Sequence, residues 1–357
     1  MNPTRVLIID DSAVVRGVLA KGLAAQGLEV VGVAADPYVA RDMILLKKPD
    51  VLTLDLEMPR MDGLTFLERL MTHFPMPVVV LSSLTEARGE MALKALELGA
   101  IDVVDKPSRG LTEGFGGDPL KILAEKLGVA AQSHPRRRLE KKRSLTTAKK
   151  RRPSPTVLSE RVVAIGASTG GTEALAEVLE ALPAEHPGVL VVQHMPAFFT
   201  KSFAERLDRS CCMEVREARN GDEVKDGLVL LAPGDHHMVL KRSGRKYFVE
   251  CPQGPPVHHV RPSVDVLFHS VAHAAGSQAV GAILTGMGKD GAEGLKAMRE
   301  AGAATLAQDE GSCVVYGMPK AAMELGAAGQ IVPLNRMAEV IQAKLQKITT
   351  RANAART

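Results

Sequence analysis

Chemistry is first legible in this chain at a serine set among glycines, Gly166-Ala167-Ser168-Thr169-Gly170-Gly171. The apolar run Arg161-Val162-Val163-Ala164-Ile165 before it reads as a buried strand, and Leu175, Val178 and Leu179 after it fall at helical spacing. Strand, Gly-x-Ser-x-Gly, helix is the pattern of a nucleophile elbow, whose glycines permit a turn that a Cβ would obstruct. The same residues also suit a plain strand-to-helix connection in which Ser168 caps the helix.

A serine hydroxyl becomes a nucleophile beside a neutral imidazole whose tautomer is fixed by an acid. His194 follows the apolar run Val189-Leu190-Val191-Val192 directly, in Gln193-His194-Met195-Pro196, so adjacent parallel strands would carry its ring to the sheet edge that holds Ser168. Asp290 is the acid candidate, just past another apolar run in Leu284-Thr285-Gly286-Met287-Gly288-Lys289-Asp290-Gly291. His236, His237, His258 and His259 fall in polar stretches and read as surface residues. His269 and His273 share a helix face and lack a third metal ligand. Gly286, Gly288 and Gly291 also spell a dinucleotide-binding G-x-G-x-x-G, with Asp309 beyond the next strand as a ribose-binding acid. Against that reading, Asp290 would stand beside the pyrophosphate at a helix N-terminus that favours one anion.

A second set of chemical residues lies nearer the N-terminus. Asp10-Asp11, Asp55, Ser82 and Asp105-Lys106-Pro107 each follow a short apolar run. Three carboxylates brought to one edge repel one another unless a hard cation sits between them, and Mg²⁺ prefers such oxygen ligands. Lys106 and Ser82 nearby suit the oxygens of a phosphoryl group. Single acids at strand ends more often cap helices; four strand ends bearing such groups together argue for a site.

Elements must position both sets. At 357 residues the chain is long enough for two domains. Residues 1–127 alternate strand and helix, with strands expected at Val6–Ile9, Val30–Ala34, Val51–Leu54, Val78–Leu81 and Ile101–Val104. Five β/α units predict a flavodoxin-like, five-stranded parallel sheet with ligands at the carboxyl ends of its strands. Residues 128–159 lose apolar periodicity and read as a basic flexible linker: between Pro135 and Pro153 stand ten Lys or Arg and one acid, Glu140. Such a stretch is either a solvated tether or a docking segment for an acidic partner. It carries more than the whole net charge of +4, so the remainder is mildly acidic, against a broadly nucleic-acid-binding protein.

Residues 160–350 read as a second, doubly wound α/β domain, with strands at Val162–Ile165, Val189–Val192, Met213–Glu217, Leu228–Ala232, Met238–Lys241, Tyr247–Glu250, Val280–Leu284 and Ala304–Ala307. Those between 228 and 250 have no helices between them and predict a short antiparallel excursion. No helix-turn-helix pattern is present. Aromatic residues are 3% of the chain, so Val, Leu, Ile, Ala and Met must fill the cores. Four cysteines without C-x-x-C spacing suit a reducing cytoplasm, and the sequence shows no signal peptide or membrane span.

Residues 1–127 resemble the receiver domain of two-component response regulators through Asp10, Asp11, Asp55, Ser82 and Lys106, with Glu57-Met58-Pro59 and Met61-Asp62-Gly63 after the central acid. The resemblance implies that Asp55 accepts a phosphoryl group from a histidine kinase, that Asp10, Asp11 and Asp55 hold Mg²⁺, and that Ser82 and Lys106 respond to the phosphoryl oxygens. The second domain resembles the chemotaxis protein-glutamate methylesterases through residues 166–171, Gln193–Pro196, Arg261-Pro262-Ser263-Val264-Asp265 and residues 285–291. That likeness implies Ser168 as nucleophile, His194 as general base and Asp290 as the acid that orients it. It also implies methylated chemoreceptors as substrates, some receptor glutamines for deamidation, no cofactor for the ester reaction, and activation by phosphorylation. Backbone N–H groups near Met287 and the Ser168 turn are oxyanion candidates, and Thr169 and Arg261–Ser263 belong to the expected substrate site without an assigned step. A domain that docks to receptors without catalysis is the alternative; Ser168, His194 and Asp290 speak against it.

Overall fold

The computed structural model describes residues 3–82, 86–106, 119–133 and 160–354. Pro107 and the basic stretch Pro135–Pro153 lie outside them. The chain divides into two compact units.

The first unit runs β1 (Arg5–Ile9), α1 (Ala13–Ala25), β2 (Glu29–Ala34), α2 (Pro37–Lys47), β3 (Val51–Asp55), α3 (Gly63–His73), β4 (Val78–Ser82), α4 (Glu86–Glu97), β5 (Asp102–Asp105) and α5 (Pro119–Ala130). Its sheet has the order β2-β1-β3-β4-β5 with every pairing parallel. β3 and β4 are buried along their whole length, as expected of strands covered on both faces. Three helices start on side chains that take up orphan N–H groups: Ser12 accepts from Val15, Asp36 from Tyr38 and Val39, and Asp62 from Thr65. Gly63 lets the segment after β3 fold back on it, because a Cβ there would lie 2.3 Å from the Asp55 carbonyl oxygen. α5 continues through Leu127 to Ala130, past the expected start of the linker, because Leu123, Ala124, Leu127 and Ala130 extend one buried stripe.

The second unit contains β6 (Val162–Ala167), α6 (Gly171–Glu180), β7 (Val189–Gln193), α7 (Ala197–Ser210), β8 (Glu214–Glu217), β9 (Glu223–Val224), β10 (Leu228–Leu231), β11 (Val239–Ser243), β12 (Lys246–Glu250), α8 (Val264–Ala275), β13 (Ala279–Ile283), α9 (Ala292–Glu300), β14 (Ala304–Gln308), α10 (Met318–Glu324), β15 (Gln330–Val332) and α11 (Leu334–Ala354). A seven-stranded parallel sheet has the order β15-β14-β13-β6-β7-β10-β8. The chain leaves β6 toward β7 and later returns to its other side as β13. The strand order therefore reverses at β6, and a crevice opens there at the carboxyl ends.

The short antiparallel excursion is present, with one strand other than expected. β11 and β12 pair antiparallel and take β9 as a third strand, whereas β10 enters the parallel sheet between β7 and β8. All four residues of β10 are buried, and only a central position in the large sheet covers both faces of Leu228-Val229-Leu230-Leu231. Val162, Ala164, Leu190, Leu230, Phe268, Ile283, Leu295 and Met298 belong to one continuous core under this sheet.

Candidate functional site

Ser168 follows β6 in a turn closed by the Gly171 N–H, which donates to the Ser168 carbonyl at 2.7 Å. Gly170 adopts φ +75°, the left-handed region, and α6 starts directly after it. The turn is packed from two sides: a Cβ on Gly171 would lie 2.2 Å from Gln193 Oε1, and one on Gly286 would lie 2.7 Å from the Ser168 Cβ. Ser168 is 7% exposed, so its hydroxyl sits at the floor of the crevice.

The next strand delivers His194. Ala167 pairs with Gln193 in register, and the His194 N–H donates to the Ala167 carbonyl at 3.1 Å. The His194 Nε2–H donates to Asp290 Oδ2 at 2.8 Å, which leaves Nδ1 as the ring nitrogen free to accept a proton. Among the described residues no hydrogen bond joins the Ser168 hydroxyl to this ring; such bonds are often long before substrate binds.

Asp290 arrives from the other side of β6, in the turn between β13 and α9. It is buried, and its oxygens are saturated: Oδ1 accepts from Ser263 Oγ at 2.7 Å and the Asp265 N–H at 3.4 Å, and Oδ2 accepts from the Val264 N–H at 2.6 Å besides His194. Burial alone would raise this carboxyl, but the His194 bond and charge, with Ser263 and Val264, outweigh it and hold Asp290 below the usual range. At the start of α9, where the glycine motif would seat a pyrophosphate, the Gly294 N–H is instead taken by the Asp265 carboxylate at 2.7 Å. Ser263 lies behind the acid, fully buried, and not on a substrate-facing surface.

One sequence expectation needs correction. His237 is 4% exposed: its Nε2–H donates to the Pro255 carbonyl at 3.0 Å, and its Nδ1 accepts from the Ser263 N–H at 3.2 Å. Pro255 and Ser263 stand 18 and 26 residues from His237, so the polar stretch that holds it gives no sign of the contacts. His258 is exposed as expected, and its Nε2 faces buried Asp265 at 3.1 Å. Gln193, to which no role attaches in the sequence, donates from Nε2 to the Ser168 carbonyl at 2.9 Å and the His194 carbonyl at 3.2 Å.

Thr169 is buried, and its carbonyl accepts from Thr285 Oγ1 at 3.0 Å. Met287 is half-buried, and its N–H makes no hydrogen bond among the described residues. Arg261 pairs with Asp235.

In the first unit, oxygens of Asp10, Asp11 and Asp55 lie within 4.8 Å of one another, Asp10 and Asp55 buried and Asp11 exposed. Three hard oxygen donors at this spacing fit a cation such as Mg²⁺. Lys106 Nζ sits 2.6 Å from Asp55 Oδ2 and 3.0 Å from Asp10 Oδ2. Burial raises the Asp55 carboxyl, a rise that Lys106 and the Glu57 N–H oppose without cancelling. Burial would lower Lys106, but bonds to the two carboxylates outweigh it and hold the ammonium above its usual range. Ser82 is buried at the end of the neighbouring strand β4.

The family model described as CheB methylesterase matches residues 163–341, and that described as response regulator receiver domain matches residues 6–112. A Bordetella avium protein named protein-glutamate methylesterase/protein-glutamine glutaminase 2 is 54% identical over 96% of this chain and 97% of its own. One with the same name from Syntrophus aciditrophicus is 50% identical over 96% of this chain and 99% of its own. The solved catalytic domain of Thermotoga maritima CheB methylesterase is 41% identical, with a TM-score of 0.50, over 51% of this chain and 96% of that one. With motifs, sheet order and relatives in agreement along nearly its whole length, this chain belongs to the family of CheB methylesterases that carry a response-regulator receiver domain.

Proposed function

We propose that this chain hydrolyses γ-methyl esters of glutamate on chemoreceptors, using Ser168, His194 and Asp290, under control of phosphorylation at Asp55. The observation that carries the reading is the His194 Nε2–Asp290 Oδ2 bond of 2.8 Å, formed on the strand end next to Ser168. Ser168 Oγ attacks the ester carbonyl while its proton passes to His194 Nδ1. Asp290, held anionic by its four donors, stabilises the imidazolium that forms. The methoxy group leaves with the His194 proton as methanol, giving an acyl ester on Ser168. Water then attacks this ester, His194 takes the water's proton, and Ser168 regains it as the glutamate carboxylate departs. A receptor glutamine follows the same course with ammonia as the leaving group. The oxyanion of each tetrahedral intermediate lies at the Met287 N–H and the Thr169 turn; one such donor lowers the barrier by about 3–4 kcal/mol.

In the first unit, Asp10, Asp11 and Asp55 hold Mg²⁺, which neutralises phosphoryl oxygens when bound. Asp55 accepts the phosphoryl group from a chemotaxis histidine kinase. Lys106 and Ser82 then bond its oxygens, replacing the present Lys106–Asp55 pair with a contact to a group of about −2 charge. The protein acts in the cytoplasm, where the histidine kinase that supplies the phosphoryl group stands. Among the described residues no helix is long and apolar enough to cross a membrane.

Methanol release from methylated receptor membranes tests both parts. Release by the full chain rises with a small phosphodonor, is lost in Ser168→Ala, and loses only its donor dependence in Asp55→Asn. Release that survives Ser168→Ala would overturn the assignment of the nucleophile.

A further inference from the structure

Behind the His194–Asp290 pair stands a second pair of the same kind. Asp265 is 5% exposed; its Oδ1 accepts the Gly294 N–H at 2.7 Å, and its Oδ2 faces His258 Nε2 at 3.1 Å. The two acids exchange helix ends. Asp290, just before α9, takes the first N–H groups of α8, while Asp265, in the first turn of α8, takes an N–H from the first turn of α9. Gly294 allows the approach, since a Cβ there would lie 2.9 Å from the Asp265 carbonyl oxygen.

Oxygens of Asp265 and Asp290 and a nitrogen of His258 lie within 4.8 Å of one another. That spacing suits a metal, but Asp290 already accepts four hydrogens and has no lone pair to offer. The grouping is therefore two carboxylates at close range, each with its own histidine. Burial raises the Asp265 carboxyl, the Gly294 N–H opposes the rise, and the Asp290 charge adds to it.

We propose that Asp265, balanced by His258, is a positioning residue whose charge sets how strongly His194 holds its proton. This rests on the assignment of His194 as the base. The Asp265 anion adds to the field of Asp290 at the imidazolium and, through the exchanged helix ends, fixes the rotamer in which Asp290 meets His194. His258, whose side chain is 33% exposed, faces that buried charge from the solvent side. The charged groups facing Asp265 are Asp290 from the β13–α9 turn and His258 from the segment before α8. Glu293 on α9 and His269 on α8 are exposed.

The test is the pH profile of kcat/KM for methanol release by the full chain. Asp265→Asn keeps an acceptor for the Gly294 N–H and removes the charge; the acid limb moves to lower pH by about one unit. His258→Arg leaves Asp265 in place and neutralises it permanently, and the limb moves the same way in a protein of unchanged melting temperature. A purely structural Asp265 would lower stability and total activity with the limb fixed; folded variants that both keep the wild-type limb would overturn the proposal. Wild-type release and its loss in Ser168→Ala, measured alongside, separate this failure from failure of the esterase reading.

Discussion

One side chain ties the nucleophile turn to the base: Gln193 donates to the carbonyl of Ser168 at 2.9 Å, and from the same nitrogen to that of His194 at 3.2 Å. Both strand ends are thereby held by a single buried amide. Gln193→Leu keeps the volume, leaves the His194 carbonyl without its donor and leaves the Ser168 carbonyl with the Gly171 N–H alone; an unsatisfied buried group costs about 1–3 kcal/mol. The expected result is a ten- to hundred-fold lower kcat with KM and the pH profile unchanged. A variant with wild-type kcat would show that the glycine turn holds Ser168 unaided.

Gly286 presses on the same serine from the segment after β13. A Cβ there would lie 2.7 Å from the Ser168 Cβ and 2.3 Å from Met318 Sδ, so Gly286→Ala must displace one of them. Overpacking of this kind costs about 1–3 kcal/mol. Esterase turnover is expected to fall at least ten-fold while circular dichroism stays native. Full activity would mean that Met318 alone gives way.

The elements carrying Ser168, His194 and Asp290 were legible because each is a short, fully apolar run, and such runs form central strands buried on both faces. The acids at the receiver strand ends were legible for the same reason. Ser263 and His237 were not: their partners Asp290 and Pro255 stand 27 and 18 residues away, brought near by folding of the segment before α8. Nor was the place of β10, since an apolar tetrapeptide fits an antiparallel hairpin or a parallel sheet equally, and its neighbours decide. The short edge strands β9 and β15 carry too few residues for any period to register.

His186 makes stability depend on pH apart from catalysis. It is 2% exposed; its Nδ1–H donates to the Pro187 carbonyl at 2.8 Å, and its Nε2 is buried without a partner. Burial chiefly, with the Arg161 charge, lowers its pKa from 6.5 to about 4. Below 6.5 the unfolded chain takes up a proton that the folded chain refuses until about pH 4, so stability falls as pH drops through this window. The loss is about 3 kcal/mol. His186→Asn keeps the donor to Pro187 and removes the titration. Its melting temperature is expected to decline less than the wild type's between pH 6.5 and 4, and parallel declines would sink the assignment.

Lys106 and Mg²⁺ are set against each other in the receiver. The ammonium already sits 2.6 Å from Asp55 and 3.0 Å from Asp10, two of the three acids that the cation needs. Lys106→Met removes that competitor and leaves buried carboxylates without a counter-charge, so Mg²⁺ titrated calorimetrically into the full chain is expected to bind several-fold more tightly. The same variant lacks the cation that would bond the phosphoryl oxygens, so phosphodonor stimulation of methanol release is expected to disappear. Stronger metal binding with lost stimulation has no source in mere unfolding, which would weaken both. Weaker Mg²⁺ binding in a folded Lys106→Met protein would instead show that Lys106 holds the acids in place for the cation and does not compete with it.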